Sequence, residues 1–207
     1  MNTLNRFSGL SSLVSHCRWP RSGDRPFVTT DDEEKGVGFS PELRSRQVFI
    51  WDGYMCAAST LIDECRRDPG KRYFLVYPIF FNYRHALELG MKWIVAQYGS
   101  YVASGEVAAE RGHDLWKLWK PCKKVIIDIG TNTSAVQYVE QVIKDFHELD
   151  NSGMRLRYAT GRDGGLYELP SYRIDLDNLQ EVMMGIEHFF DGVDGQLDAN
   201  VSAAARC

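Results

Sequence analysis

The 207-residue sequence predicts an all-α fold, an antiparallel bundle of four to five helices with a small β-hairpin before the last one. Three observations carry that expectation. Apolar residues recur at three- and four-residue steps along most of the chain, the period of a helix with one buried face. Residues that start and stop helices bracket each periodic stretch. Near residue 154 the period drops to two, where Met154, Leu156 and Tyr158 alternate with Arg155 and Arg157 ahead of a Gly-rich turn.

Residues 1–40 read as an N-terminal extension, rich in Ser, Gly, Arg and Asp, with a turn or two of amphipathic spacing at Phe7, Leu10, Leu13 and Val14. Ser40-Pro41-Glu42 is a helix start, with serine as the cap and proline at the first helical position. Val48, Trp51, Met55, Ala58, Ile62 and Cys65 then mark one face, and Asp68-Pro69-Gly70 ends the helix. A second helix is expected from about Val76, opening at Pro78, to Tyr98, with Ile79, Phe80, Tyr83, Leu87, Met91 and Ile94 inside. Gly90 in its middle costs about 1 kcal/mol of helix propensity and so points to a close neighbour. A third helix opens on His113 or Asp114, and Pro121 should kink or split it. Ser134 heads a fourth with capping-box form, which ends at Asn151-Ser152-Gly153. The alternating segment and its turn then predict the hairpin. Asp175 caps the last helix, whose face is Leu176, Leu179, Met183, Ile186, Phe190, Val193 and Leu197. Residues 41–198 thus read as one helical domain, and residues 199–207 as a fraying tail.

Composition narrows the function classes. A chain of this length with 44% hydrophobic residues should bury roughly 70% of its extended surface. A net charge of −4 argues against a protein that coats nucleic acid, while leaving room for a local basic patch. The five cysteines are scattered with no CxxC and no zinc-ligand spacing, which suits reduced thiols in the cytoplasm. No signal-peptide core and no membrane-length apolar run is present. GxxxxGK[ST], GxGxxG and GxSxG are all absent, so no cofactor is expected.

The chemistry-bearing residues gather on two helices. Arg84, Glu88 and Lys92 fall in one column at four-residue spacing, with His85 beside it and His113-Asp114 at the start of the next helix. One reading makes Arg84 and Glu88 an ion pair, extended to Asp114, that docks two helices, with His113 as a cap. A second makes Arg84 and His113, or His85 in second place, the pair of a metal-independent ribonuclease, in which histidine moves a proton and arginine neutralises charge developing on phosphate. A metal site built from two histidines and two carboxylates is not expected.

FNYRHALEL at 81–89, GHDLWKLW at 112–119 and SGMRLRY at 152–158 together resemble a bacterial group of the HEPN (higher eukaryote and prokaryote nucleotide-binding) superfamily of helical-bundle proteins. The likeness spans roughly residues 40–197. It implies a binding or interaction module, a homodimer, whose ligand is RNA, a nucleotide or a partner protein, in a defence or stress system. Arg84, His85, Glu88, His113, Asp114, Arg155 and Arg157 would form the binding set, with Arg84, His113, Arg155 and Arg157 facing phosphate. Nuclease members of the superfamily carry an arginine, then about four to six residues, then a histidine. None of the five histidines here has one at that spacing, so the resemblance implies a non-catalytic member. The rivals are the ribonuclease using Arg84 with His113, and a purely structural bundle that docks a partner through an exposed apolar patch including Trp116 or the Phe7–Val14 segment.

Overall fold

A computed structural model describes residue 18 and residues 20–102, 105–108, 110–128 and 133–204. The chain divides into two compact units, Met1–Phe39 and Ser40–Cys207. In the first, the described residues form turns without helix. Gly36 N–H donates to the Asp32 carbonyl, and side-chain pairs join Lys35 to Asp32 and Arg18 to Asp24. The expected amphipathic turns at Phe7–Val14 lie outside the described residues.

The described residues of the second unit form five α-helices: α1 (Leu43–Arg67), α2 (Arg72–Tyr98), α3 (Leu115–Asp128), α4 (Thr133–Leu149) and α5 (Leu176–Ala204). The all-α expectation holds. α2 is the hub: it packs against α1, α3 and α5, while α4 packs on α3 and α5 also touches α1. This explains why α2 buries residues on most of its circumference, Arg84 and Glu88 among them. A helix surrounded on several sides has no broad solvent face on which to place a charge.

Helix boundaries depart from the sequence reading in instructive ways. Glu42, not Ser40, caps α1: its carboxylate accepts the N–H groups of Arg44 and Ser45. A longer side chain in extended backbone reaches two free donors of the first turn at once. α2 begins at Arg72 because a 3₁₀ turn, Pro69–Lys71, runs directly into it. Pro78 therefore lies within α2, and Pro121 lies within an unbroken α3. One missing N–H is outweighed where neighbouring residues such as Ile79, Phe80, Trp119 and Cys122 are buried. α4 starts at Thr133, which puts Ser134 inside the helix rather than ahead of it. Asp114 caps α3 through Lys117 N–H at 3.0 Å, and Asp175 caps α5 through Asp177 N–H at 2.9 Å, as expected. α5 continues past Asp198 to Ala204, so the part of the expected tail up to that residue is helical.

The β-hairpin does not form. Among the described residues there is no strand, only a bridge between Thr160 and Leu166. The alternating segment is instead wound into a turn, with Arg157 and Tyr158 N–H groups donating to the Met154 carbonyl. The cause is Asp150. Its buried carboxylate accepts Ser152 N–H at 3.2 Å, Met154 N–H at 3.1 Å and Leu156 N–H at 3.4 Å. A carboxylate that gathers three amides from one short segment holds it curled, and an extended strand cannot present them to one point.

Candidate functional site

The two motifs do meet, and backbone carbonyls join them. Arg84 is 1% exposed, and each face of its guanidinium is used. Nε donates to the Asp150 carbonyl at 2.7 Å, one Nη to Glu88 Oε2 at 3.2 Å, and the other Nη to the His113 carbonyl. One planar fork thereby fastens α2 to the end of α4 and to the entry of α3. Gly153 completes the enclosure. Its φ is +74°, and a Cβ there would stand 3.1 Å from an Arg84 Nη. Any side chain at 153 would meet both backbone strain and the guanidinium.

Glu88 is the electrostatic centre. It accepts from Arg84, from Lys92 Nζ at 2.7 Å and from His113 Nδ1 at 2.8 Å. Burial alone would raise its pKa, but the hydrogen bonds from Lys92 and His113 outweigh burial and hold it below the ordinary 4.5. The His113 ring is 64% exposed, so Glu88 anchors a histidine that otherwise faces solvent. The expected link from Arg84 to Asp114 is absent; Asp114 instead approaches His147 Nδ1 at 3.5 Å.

His85 belongs to a different neighbourhood. It stacks on Phe81 with ring centroids 5.7 Å apart and stands edge-on to Tyr54 at 4.5 Å. The Arg157 guanidinium lies over the other partner, 5.4 Å from the Phe81 ring centre, while its Nε donates to the Gly153 carbonyl at 2.6 Å. Arg155 is half-buried with no ion pair among the described residues. Burial holds the His85 imidazole below 6.5. The unfolded chain therefore takes up a proton there first as pH falls through 6.5, and stability drops below that value. Glu88 acts lower. Its folded pKa is depressed, so its contribution is complete above 4.5 and is lost as pH falls beneath it. Melting temperature measured against pH should show both losses on the acid side, and the His85→Phe variant should lack the upper one. An unchanged profile between pH 5 and 6.5 in that variant would remove His85 from the account.

The sequence reading missed a groove at the α1–α2 corner, a cavity of about 770 Å³ lined by Arg66, Arg72, Tyr73, Tyr77, Tyr172 and Arg173 among others. Arg66 is committed to Asp63 and Asp177. Arg72 and Arg173 are exposed and have no ion pair among the described residues, and Tyr73, Tyr77 and Tyr172 all expose much of their rings. The available signal was the interleaving of basic and aromatic residues in KRYF at 71–74 and SYR at 171–173. Lys117, Lys120 and Lys124 are exposed along α3, the solvated face their spacing suggests.

Among the described residues no group of three His, Cys, Asp or Glu side chains is placed to hold a metal ion, and no helix is long and apolar enough to cross a membrane. Cys56, Cys65 and Cys122 are free thiols, and burial pushes the Cys122 thiol up. No family model, curated protein or solved structure matches the chain.

Proposed function

We propose that the chain is a HEPN-like binding module that holds RNA, or a nucleotide as its smallest unit, without cleaving it. The observation that carries the reading is the fate of Arg84. Its guanidinium is spent on two backbone carbonyls and Glu88 in a buried position, so it offers no donor to a phosphate in a groove. The ribonuclease alternative needs Arg84 and the His113 ring to converge on an open site; Arg84 instead meets the carbonyl of that residue while the ring faces Glu88. Arg157 is likewise held against Phe81.

Binding passes to the α1–α2 groove. Single-stranded RNA needs faces on which bases stack and cations that track the backbone. Tyr73, Tyr77 and Tyr172 supply the first, Arg72 and Arg173 the second. A small local basic set on an acidic protein gives modest, salt-sensitive affinity. The homodimer, the defence or stress context and the cytoplasmic location rest on the family resemblance and belong to the same proposal.

Fluorescence anisotropy with a labelled single-stranded RNA of about ten nucleotides, within the usual 4–16 for a single-strand groove, tests the reading. Binding should weaken with salt. Arg72→Ala and Arg173→Ala should each reduce the slope of log affinity against log salt by about 0.7, the single-strand value per phosphate contact. RNA recovered from the mixture should be intact. Cleavage that His113→Ala abolishes in a folded protein would overturn the reading, as would affinity indifferent to both arginines.

A further inference from the structure

A second cavity, of about 390 Å³, opens between α1, α2 and α5, on residues not used by the groove. Its walls are apolar and aromatic: Trp51, Trp93, Phe190, Val48, Ile50 and Ile94 among them. Gly90 lines it, and a Cβ at that position would stand 3.1 Å from Trp51 Nε1 and 3.5 Å from the Phe190 ring. The absent side chain is therefore what lets the two rings approach the α2 backbone.

The polar groups of the cavity share one character. Gln47, Glu110, Asp191 and Asp194 line it, and all offer acceptor oxygens. The Gln47 amide oxygen is buried and accepts no hydrogen bond. Asp191 has no ion pair or hydrogen bond among the described residues. Asp194 takes Trp93 Nε1–H and Tyr98 O–H, both at 2.7 Å and both on the same carboxylate oxygen, and its second oxygen accepts no hydrogen bond among the described residues. Among the described residues Lys92 is the one cation lining the cavity, and its Nζ is bound to Glu88. Asp52 and Glu187 add negative charge near Asp191, with His188 on the same helix as Asp191; Arg44, over the Trp93 ring at 5.8 Å, is paired with Asp198 and is also near enough to Asp194 to be attracted by it.

A buried acceptor without a donor, unpaired carboxylate oxygens and two indole rings all ask for the same thing. An ammonium group donates to the oxygens, neutralises the carboxylates and is attracted to indole faces, while an apolar body fills the remaining space. One cation already sits over Trp93, namely Arg44. We infer that this cavity is a binding site for a small protonated amine carried on an aromatic or aliphatic body. An anionic ligand of the same shape is excluded by the carboxylates. This inference is independent of the RNA groove, since the two sites share no lining residue.

The test is an NMR titration of the full chain that follows the tryptophan indole N–H signals, with phenethylamine as the cationic probe and hydrocinnamate as its anionic counterpart. Phenethylamine should shift the Trp51 and Trp93 signals saturably and leave those of Trp116 and Trp119 in place, and hydrocinnamate should shift none. Asp191 is exposed, so Asp191→Asn should fold normally and bind phenethylamine about tenfold more weakly. Equal response to the two probes would overturn the inference. So would no shift with phenethylamine in the folded protein, or unchanged affinity in Asp191→Asn.

Discussion

Arg84→Ala should lower unfolding free energy by about 3–5 kcal/mol, the usual result of removing one partner from a buried ion pair. The substitution strands more than Glu88. The Asp150 and His113 carbonyls lose their donors in the interior, and the space of a large side chain is vacated. Lys92 and His113 still reach Glu88, which keeps the loss from growing further. Arg84→Lys should recover only part of it, because an ammonium cannot span two carbonyls and a carboxylate in the plane that the guanidinium fork covers. Urea denaturation followed by far-UV circular dichroism measures both. A loss under 1 kcal/mol for the alanine variant would mean that the network contributes little to holding α2, α3 and α4 together.

Asp150→Ala is expected to be nearly as costly, about 2–4 kcal/mol, because hydrogen bonds to a charged acceptor are among the stronger ones and their donors are left without a partner. The carboxylate holds the N–H groups of Ser152, Met154 and Leu156. Without it the turn at 152–158 should loosen, carrying Arg157 off the Phe81 ring and Leu156 out of the groove wall. Asp150→Asn should cost less, since the amide oxygen keeps an acceptor in place. Amide hydrogen exchange separates this from global destabilisation. Protection at 152–158 should fall further than protection in α1 or α2, and a uniform fall would contradict the local role.

What the sequence made legible was local. Helical periodicity marked α1, α2, α4 and α5, because each keeps a recurrent apolar face even where α2 is buried on several sides, and α3 was marked by its cap. Asp114 and Asp175 were readable as caps because a cap acts within three residues. Gly90 was readable as a point of close approach, and Trp51 and Phe190 lie there. The hairpin was misread because alternation in MRLRY is the same whether the segment extends or curls. Only the buried Asp150 carboxylate decides, and no periodicity reports it. The Arg84–Glu88 pair was expected to extend to Asp114, the acid of the next motif. The hydrogen-bond partners of Arg84 beyond Glu88 are carbonyls at 113 and 150, with the Asp150 carboxylate 3.9 Å away, and backbone acceptors leave no residue-type signature. The groove was missed for a related reason: Arg72 and Arg173 come together only through the packing of α5's entry segment on the α1–α2 corner.

The central claim is that Arg84 locks the fold and does not face a ligand. Side-chain NMR of the Arg84 Nε–H group, assigned by its loss in Arg84→Lys, tests this most directly. The account predicts slow exchange with solvent and no shift when RNA is added at a concentration that shifts the Arg72 and Arg173 signals. Rapid exchange, with a shift of the Arg84 signal on RNA addition, would contradict it and return Arg84 to the binding site.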